Sequence, residues 1–137
     1  NRITKAKLDK GAKIVVKEKI MTHGHQIAET NFEVDLNGEG SGADLISRSV
    51  AKGHSRQTFR SCINGNTRCT GHSECDAIIM DQGIVSAIPE LTANHVDAGL
   101  IHEAAIGKIA GEQLIKLMTL GLTEEEAEAK IIEGFLK

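Results

Sequence analysis

The chain has 137 residues, a formal net charge of −3, no Trp or Tyr, and three Phe. This charge gives no electrostatic reason to expect nucleic acid or an anionic membrane as a partner. The scarcity of aromatic side chains argues against a stacking platform for single strands, and no apolar run approaches the roughly 18 residues of a membrane span.

Cysteine and glycine usage narrows the class of protein further. Three cysteines in a chain without a targeting signal fit a reducing cytosol better than a disulfide framework, so we expect a cytoplasmic protein. The chain begins at Asn1 without Met, so we also expect a piece of a longer or processed protein. The 14 glycines and few aromatics favour short strands with many turns, stacked so that aliphatic side chains form ladders.

Residues 1–106 are predicted to form a β body in which short strands alternate with turns rich in Gly or Asn. In one of them, Phe32, Val34 and Leu36 share a face by strict alternation. The spacing suits a sandwich, a barrel or a stacked β-solenoid, and no exact repeat decides among them. The predicted strands are Lys13–Ile20, Thr30–Leu36, Asp44–Val50, Gln57–Ile63, Cys75–Met80, Ile84–Ile88 and Val96–Ile106.

The pattern changes from strand to helix after Gly107. Apolar residues at helical spacing predict a first helix that ends at Gly121. A second helix begins at Thr123, which forms a capping box with Glu126. We therefore predict a short helical hairpin over residues 107–137.

Two motifs carry potential chemistry, Glu74-Cys75-Asp76 and His102-Glu103. A thiolate, an imidazole and a carboxylate together can hold iron or another transition metal, so a metal or sulfur-handling site is the first hypothesis. The alternative for Cys75 is a buried thiol that packs as a small hydrophobe. Adjacent residues on a regular strand point to opposite faces, so His102 and Glu103 share no face unless a bulge intervenes.

Other sequence motifs give weaker support for a metal site or a catalytic site. Cys69, His72 and Cys75 have the three-residue spacing of a metal triplet, but no second Cys-x-x-Cys half exists, so we expect no structural zinc. A phosphate-binding loop, a nucleophile elbow and a His-Glu-x-x-His motif are all missing from the sequence. We therefore expect a protein that is not an enzyme and binds no nucleotide itself.

Several segments, in order and at similar spacing, resemble the SufB/SufD family, the scaffold subunits of the SUF machinery for iron–sulfur cluster assembly. The similarity covers the C-terminal part of the family and is most specific over residues 56–137. The segments are Arg56–Arg60, Glu74–Ile79, Ile88–Leu91, His102–Ile109, Glu112–Leu114, Gly121–Ala127 and Ile131–Lys137.

The resemblance implies a right-handed parallel β-helix over residues 1–106 and a helical segment, 107–137, that docks a SufC-type ATPase. It also implies pairing with a SufB/SufD-type partner or a second copy, a sulfur donor protein, and a nascent iron–sulfur cluster as cargo. By this resemblance, the cysteine of the family's Cys-Asp motif falls on Cys75 and the SufB-type glutamate on Glu103, which makes the site SufB-like, while the SufD-type histidine falls on His102. Cys62 and Cys69 match no family position, and the segment from Cys75 to Pro89 is about one residue shorter than in typical SufB chains.

Two hypotheses follow, and a third is weaker. In the first, the chain is a non-enzymatic scaffold that receives sulfur and iron at an interface between subunits. In the second, it is an interaction module that only recruits the ATPase, and Cys75 is a structural core thiol. A stand-alone enzyme with Cys75 as nucleophile would need a base that is oriented by a third group.

Overall fold

The computed structural model describes residues 1–137, which form eight strands followed by two helices. The predicted β body and the helical hairpin are both present. One strand, β1, was not predicted, and β6 begins at Cys69, before the predicted start at Cys75. The strands are β1 Arg2–Leu8, β2 Lys13–Thr22, β3 Ile27–Leu36, β4 Gly42–Ala51, β5 Arg56–Gly65, β6 Cys69–Ile79, β7 Ile84–Ala93 and β8 Ala98–Gly107, and the helices are α1 Gly111–Met118 and α2 Glu124–Phe135.

The strands form two parallel sheets, one in the order β1-β3-β5-β7 and the other in the order β2-β4-β6-β8. Because consecutive strands alternate between the sheets, the chain winds through four coils, each with one strand in either sheet. Arg2 pairs with Thr30 and Lys13 with Gly42, so equivalent positions recur once per coil at a nearly constant interval. The fold is therefore a parallel β-solenoid, as the family resemblance implies.

The core lies between the two sheets and is built from alternate residues of each strand. Leu36, Leu45 and Ile63 are fully buried, and the Phe32 and Phe59 rings pack with centroids 5.9 Å apart. Successive coils stack equivalent positions in register, so inward residues form columns that run along the solenoid. The face of any side chain is thus fixed by its position within its strand.

The interior also contains polar side chains, which the expectation of an aliphatic core did not include. Glu18 is only 6% exposed, and its carboxylate accepts hydrogen bonds from Arg2, from Thr30 Oγ1 at 3.0 Å and from Ser47 Oγ at 2.7 Å. These bonds satisfy an acid that would otherwise be costly to bury. Glu18, Ser47 and Cys75 are register partners along one inward column.

Polar turn residues stack as the strands do. Asn66 Nδ2 donates to Asn37 Oδ1 at 2.7 Å, and Asn94 Nδ2 donates to Asn66 Oδ1 at 2.7 Å. Gly53 adopts a φ of 63°, in the left-handed region, and its N–H donates to Asp81 Oδ2 at 3.0 Å. Side-chain ladders of this kind hold equivalent turns of successive coils together.

The two helices differ in how they pack. In α2, Ala127 and Ile132 are buried, and the predicted capping box between Thr123 and Glu126 is formed. In contrast, α1 has no buried residue. The Lys137 carbonyl accepts a hydrogen bond from Lys19 Nζ at 2.6 Å, so the end of the hairpin contacts strand β2. Neither helix has the length and apolar character needed to cross a bilayer.

Candidate metal and sulfur site

Both motifs lie in one sheet, on the neighbouring strands β6 and β8. The register pairs Ser73 with His102, Glu74 with Glu103, and Cys75 with Ala104. Since side chains alternate across a sheet, Cys75 and His102 face the interior of the solenoid, whereas Glu74 and Glu103 face outward. The adjacent His102 and Glu103 therefore point to opposite faces, as the strand period predicts.

Cys75 is fully buried, with Ser47 on β4 and Ala104 on β8 as its register partners. Burial raises the pKa of its thiol to about 11, and the negative charges of Asp76 and Glu18 act in the same direction. The group is consequently a thiol at neutral pH, which is a poor nucleophile and a poor metal ligand in this state. This closed arrangement gives a stand-alone enzyme based on Cys75 no support.

His102 lies on the same inner face, where its Nδ1 is 3.2 Å from Ser73 Oγ. Ser73 in turn contacts Ser61, with 2.7 Å between the two hydroxyl oxygens. Burial lowers the pKa of His102, and the neighbouring His72 lowers it further. The imidazole is therefore neutral at pH 7, which is the form that binds a metal.

Glu103 belongs to a different cluster on the outer face, together with His72 and Glu74. His72 Nε2 is 3.0 Å from Glu103 Oε2 and 4.0 Å from Glu74 Oε2, while Nδ1 is 2.8 Å from Asp44 Oδ1. Ligand atoms of His72, Glu74 and Glu103 all lie within 4.8 Å of one another. The three donors predicted from the sequence thus divide between two faces and do not converge within a single chain.

Electrostatics in the outer cluster are dominated by carboxylates. Hydrogen bonds to Asp44 and Glu103 raise the pKa of His72. A hydrogen bond with Asp76 raises the pKa of Glu74, and partial burial adds to this shift. Four carboxyl groups therefore stand against one imidazole and Arg48, the register partner of Asp76, and such an excess of carboxylates attracts cations.

Sequence reasoning missed His72 and Glu74 as site residues. With the coil length known, Asp44 would align with His72 and Glu74 with Glu103. The sequence contains no exact repeat from which that length could be determined. The Cys69, His72, Cys75 triplet is divided by the sheet, because both cysteines face inward and His72 faces outward. Its side chains consequently form no common metal site.

These features define a class of protein, a parallel β-solenoid that carries thiol, imidazole and carboxylate groups on the two faces of its last coils. The chain matches the SufBD core domain of the SUF system for iron–sulfur cluster assembly over residues 2–135. It belongs to this family.

Relatives from archaea and plants agree with this assignment. An iron–sulfur cluster assembly SufBD family protein of Methanothermobacter thermautotrophicus is 38% identical over 112 residues, which are 80% of this chain and 27% of the relative. The corresponding protein of Archaeoglobus fulgidus is 35% identical over 133 residues, 96% of this chain and 36% of the relative. A chloroplastic SufBD family protein of Arabidopsis thaliana is 27% identical over 121 residues, 85% of this chain and 22% of the relative. The chain therefore spans well under half the length of these curated relatives.

Proposed function

We propose that this chain is the part of an iron–sulfur assembly scaffold in which sulfur and iron are received as cargo. Cys75 is the proposed sulfur acceptor, and His102 and Glu103 are the proposed nitrogen and oxygen donors to iron. Membership of the SufBD family supports the proposal, as do relatives that are named for iron–sulfur cluster assembly.

The observation that carries the proposal is the position of Cys75 next to the last strand of its sheet. β8 pairs only with β6, and Ala104 is the residue of β8 that covers Cys75. A displacement of this one strand, which also carries His102, would expose the thiol and move His102 together with Glu103. While closed, the same arrangement shields a persulfide or cluster from water and oxidants.

The proposed sulfur step is a transfer from a donor protein that carries a cysteine persulfide. Once β8 is displaced and Cys75 is ionised, its thiolate attacks the outer sulfur of that persulfide. The donor's sulfur–sulfur bond breaks, and a new bond forms to Cys75. The donor leaves as a thiolate, so charge and electrons balance without an external oxidant.

Iron would then be held by groups from both faces of the sheet. His102 is available as a neutral imidazole on the same face as Cys75. Glu103 lies on the other face, so its carboxylate reaches Cys75 only if β8 moves or if a second chain supplies it. This requirement favours assembly at an interface, either with a SufB/SufD-type partner or with a second copy.

The helical hairpin is the proposed docking site for a SufC-type ATPase, which would supply the nucleotide chemistry. On and just after α1, Ile115 is 64% exposed and Leu120 is 76% exposed. Apolar side chains left uncovered in this way are typical of a surface that binds another protein. In the proposed cycle, closure of the bound ATPase pulls on the hairpin and loosens β8, to which the hairpin is directly connected.

Anaerobic reconstitution with Fe²⁺ and sulfide tests the proposal, read as absorbance between roughly 320 and 420 nm. We expect the wild-type chain to develop this absorbance and the Cys75→Ser variant to lose it. Cys69→Ser is the matched control, because Cys69 is also an inward, buried cysteine of β6. Equal cluster formation by wild type and Cys75→Ser would refute the role of Cys75.

The second candidate function is an interaction module that only recruits the ATPase. The complete burial of Cys75 and the exposure of α1 favour it. Under this alternative, a Cys75→Ala variant retains both ATPase binding and cluster assembly by the full complex. Under the scaffold proposal, the variant retains binding and loses assembly.

A further inference from the structure

We propose that His72, Glu74 and Glu103 form a binding site for one divalent first-row metal ion on the outer face of the sheet. The site would lie across the sheet from Cys75 and separate from it. Its three ligands would be His72 Nε2 and one carboxylate oxygen from each glutamate, all of which already lie within 4.8 Å of one another.

The orientation of His72 supports this assignment. Asp44 Oδ1 lies 2.8 Å from Nδ1 and can accept its proton, which leaves Nε2 directed toward Glu103 at 3.0 Å. A carboxylate that holds one ring nitrogen so that the other faces a metal is the usual arrangement around ligating histidines. Asp44 is therefore a positioning residue, and its register partner on β6 is His72 itself.

The pairing of the two glutamates supplies an independent reason. Glu74 and Glu103 are direct register partners on adjacent parallel strands. Like charges at directly opposite positions of neighbouring strands destabilise a sheet. Asp76 adds another carboxylate on the same face, and its partner on β4 is Arg48. A bound dication would offset the repulsion that this arrangement creates.

The ligand set indicates the class of metal. One imidazole and two carboxylates suit Fe²⁺, Mn²⁺, Co²⁺ or Zn²⁺, whereas soft Cu⁺ prefers thiolates and thioethers. The side chains are exposed by 32% for His72, 24% for Glu74 and 66% for Glu103, so water can occupy the remaining coordination positions. A site with three protein ligands and open positions can accept and release its ion.

This inference deepens the proposed function, on which its iron assignment rests. An outer site would let the scaffold receive iron on one face of the sheet while sulfur arrives at Cys75 on the other. The two cargoes would remain apart until movement of β8 brings Glu103 and Cys75 together. The metal-binding step itself can be measured without cluster assembly.

The test is a titration of the purified, metal-free chain with Co²⁺, followed by its visible d–d absorption. We expect one Co²⁺ per chain in the wild type, displaced under anaerobic conditions by an excess of Fe²⁺, which binds nitrogen and oxygen donors more weakly than Co²⁺. His72→Gln and Glu74→Gln should weaken binding by about 100-fold, and Asp44→Asn by about 10-fold. His95→Gln is the matched control, because His95 is likewise an exposed histidine near a carboxylate, Asp97, at 4.0 Å.

Each outcome decides a separate point. Wild-type protein that binds no Co²⁺, or His72→Gln protein that binds it as tightly as wild type, overturns the site. Far-UV circular dichroism of each variant establishes that it is folded. Cys75→Ser should retain the Co²⁺ spectrum. If Co²⁺ binds to wild type and to Cys75→Ser, but wild type assembles no iron–sulfur cluster, the proposed function fails and the metal site is still supported. If wild type assembles a cluster but binds no Co²⁺, the metal site is refuted and the proposed function is still supported.

Discussion

Cys75 and Glu103 lie on opposite faces of one sheet, the thiol inside the solenoid and the carboxylate outside it. Their strands are directly hydrogen-bonded neighbours, and Glu103 is paired with Glu74, the residue before Cys75. The two residues therefore lie on adjacent, paired strands, but their side chains project from opposite faces of the sheet. A cluster that used both groups of the same chain would therefore require a rearrangement of this edge of the sheet.

Thiol labelling should distinguish the three cysteines in the closed state. Cys62 faces outward on β5 and is half-buried, whereas Cys69 and Cys75 are buried. We expect iodoacetamide at about pH 8 to modify Cys62 first and Cys75 very slowly, because the pKa of Cys75 is raised to about 11. Mass spectrometry of tryptic peptides, with fragmentation of the peptide 69–108 that contains both Cys69 and Cys75, gives the three rates. The same reaction in urea should make the rates similar, and equally fast labelling of Cys75 without urea would contradict the buried geometry.

The buried carboxylate of Glu18 should contribute to stability through its hydrogen bonds. Glu18→Ala leaves the hydroxyls of Thr30 and Ser47 without their acceptor, so we expect a loss of about 2–3 kcal/mol in the free energy of unfolding. Glu18→Gln keeps an acceptor oxygen and should cost less. The control is Glu29→Ala, since Glu29 is exposed on β3, the next strand along the chain. Urea denaturation of the three variants measures the differences, and an equal effect of Glu18→Ala and Glu29→Ala would rule out this network.

The two histidines of the site should give opposite dependences of stability on pH in the metal-free chain. Hydrogen bonds to Asp44 and Glu103 raise the pKa of His72 above 6.5, so the folded state binds this proton more tightly than the unfolded chain. The resulting stabilisation is complete below the unfolded pKa and is lost as the pH rises through the folded pKa. His102 should have the opposite effect on stability, because burial lowers its pKa below 6.5. Its contribution to stability is therefore lost as the pH falls from 6.5 through the folded pKa.

Unfolding midpoints at about pH 5, 6.5 and 8.5, with a chelator present, test this contrast. His72→Gln should lose its stability difference from wild type at the highest pH and be less stable than wild type at lower pH. The stability of His102→Gln relative to wild type should increase as the pH falls. Parallel pH profiles for all three proteins would show that neither environment differs between the folded and unfolded states.

Substitutions in α1 should separate partner docking from folding. Ile115 and Met118 are exposed by 64% and 42% and lie three residues apart, which places them on one side of the helix. We expect Ile115→Glu and Met118→Glu to reduce binding of a SufC-type ATPase by at least about tenfold and to leave the free energy of unfolding within about 0.5 kcal/mol of wild type. Val96→Glu is the control, because Val96 is 93% exposed in the turn before β8. Isothermal titration calorimetry measures the affinities, and undiminished binding by both α1 variants would exclude this face.

Local sequence patterns predicted much of the fold. Alternation in Thr30–Leu36 placed Phe32, Val34 and Leu36 on one face, and all three are buried. The same alternation places Phe59 and Ile63 on the buried face of β5 and Cys62 on the other. These predictions succeed because the strand period depends only on neighbouring residues.

The pairing between coils could not be predicted in the same way. Equivalent inward positions carry Glu18, Ser47, Cys75 and Ala104, which share neither size nor polarity. Without a common residue in every coil, the period of the solenoid is invisible in one sequence. The partnership of His72 with Asp44 and Glu103 depends on that long-range register, so the sequence alone offered His72 only as part of an unconvincing triplet.

The near-constant coil length has an evolutionary consequence. Because each coil contacts only the coils above and below it, gain or loss of one whole coil preserves every column on both sides of the junction. A deletion of one residue inside a strand would instead exchange the inner and outer faces of everything that follows it in that strand. We therefore expect length differences among homologous proteins of this architecture to occur in modules of one whole coil, or at the turns, where the side-chain faces are unaffected.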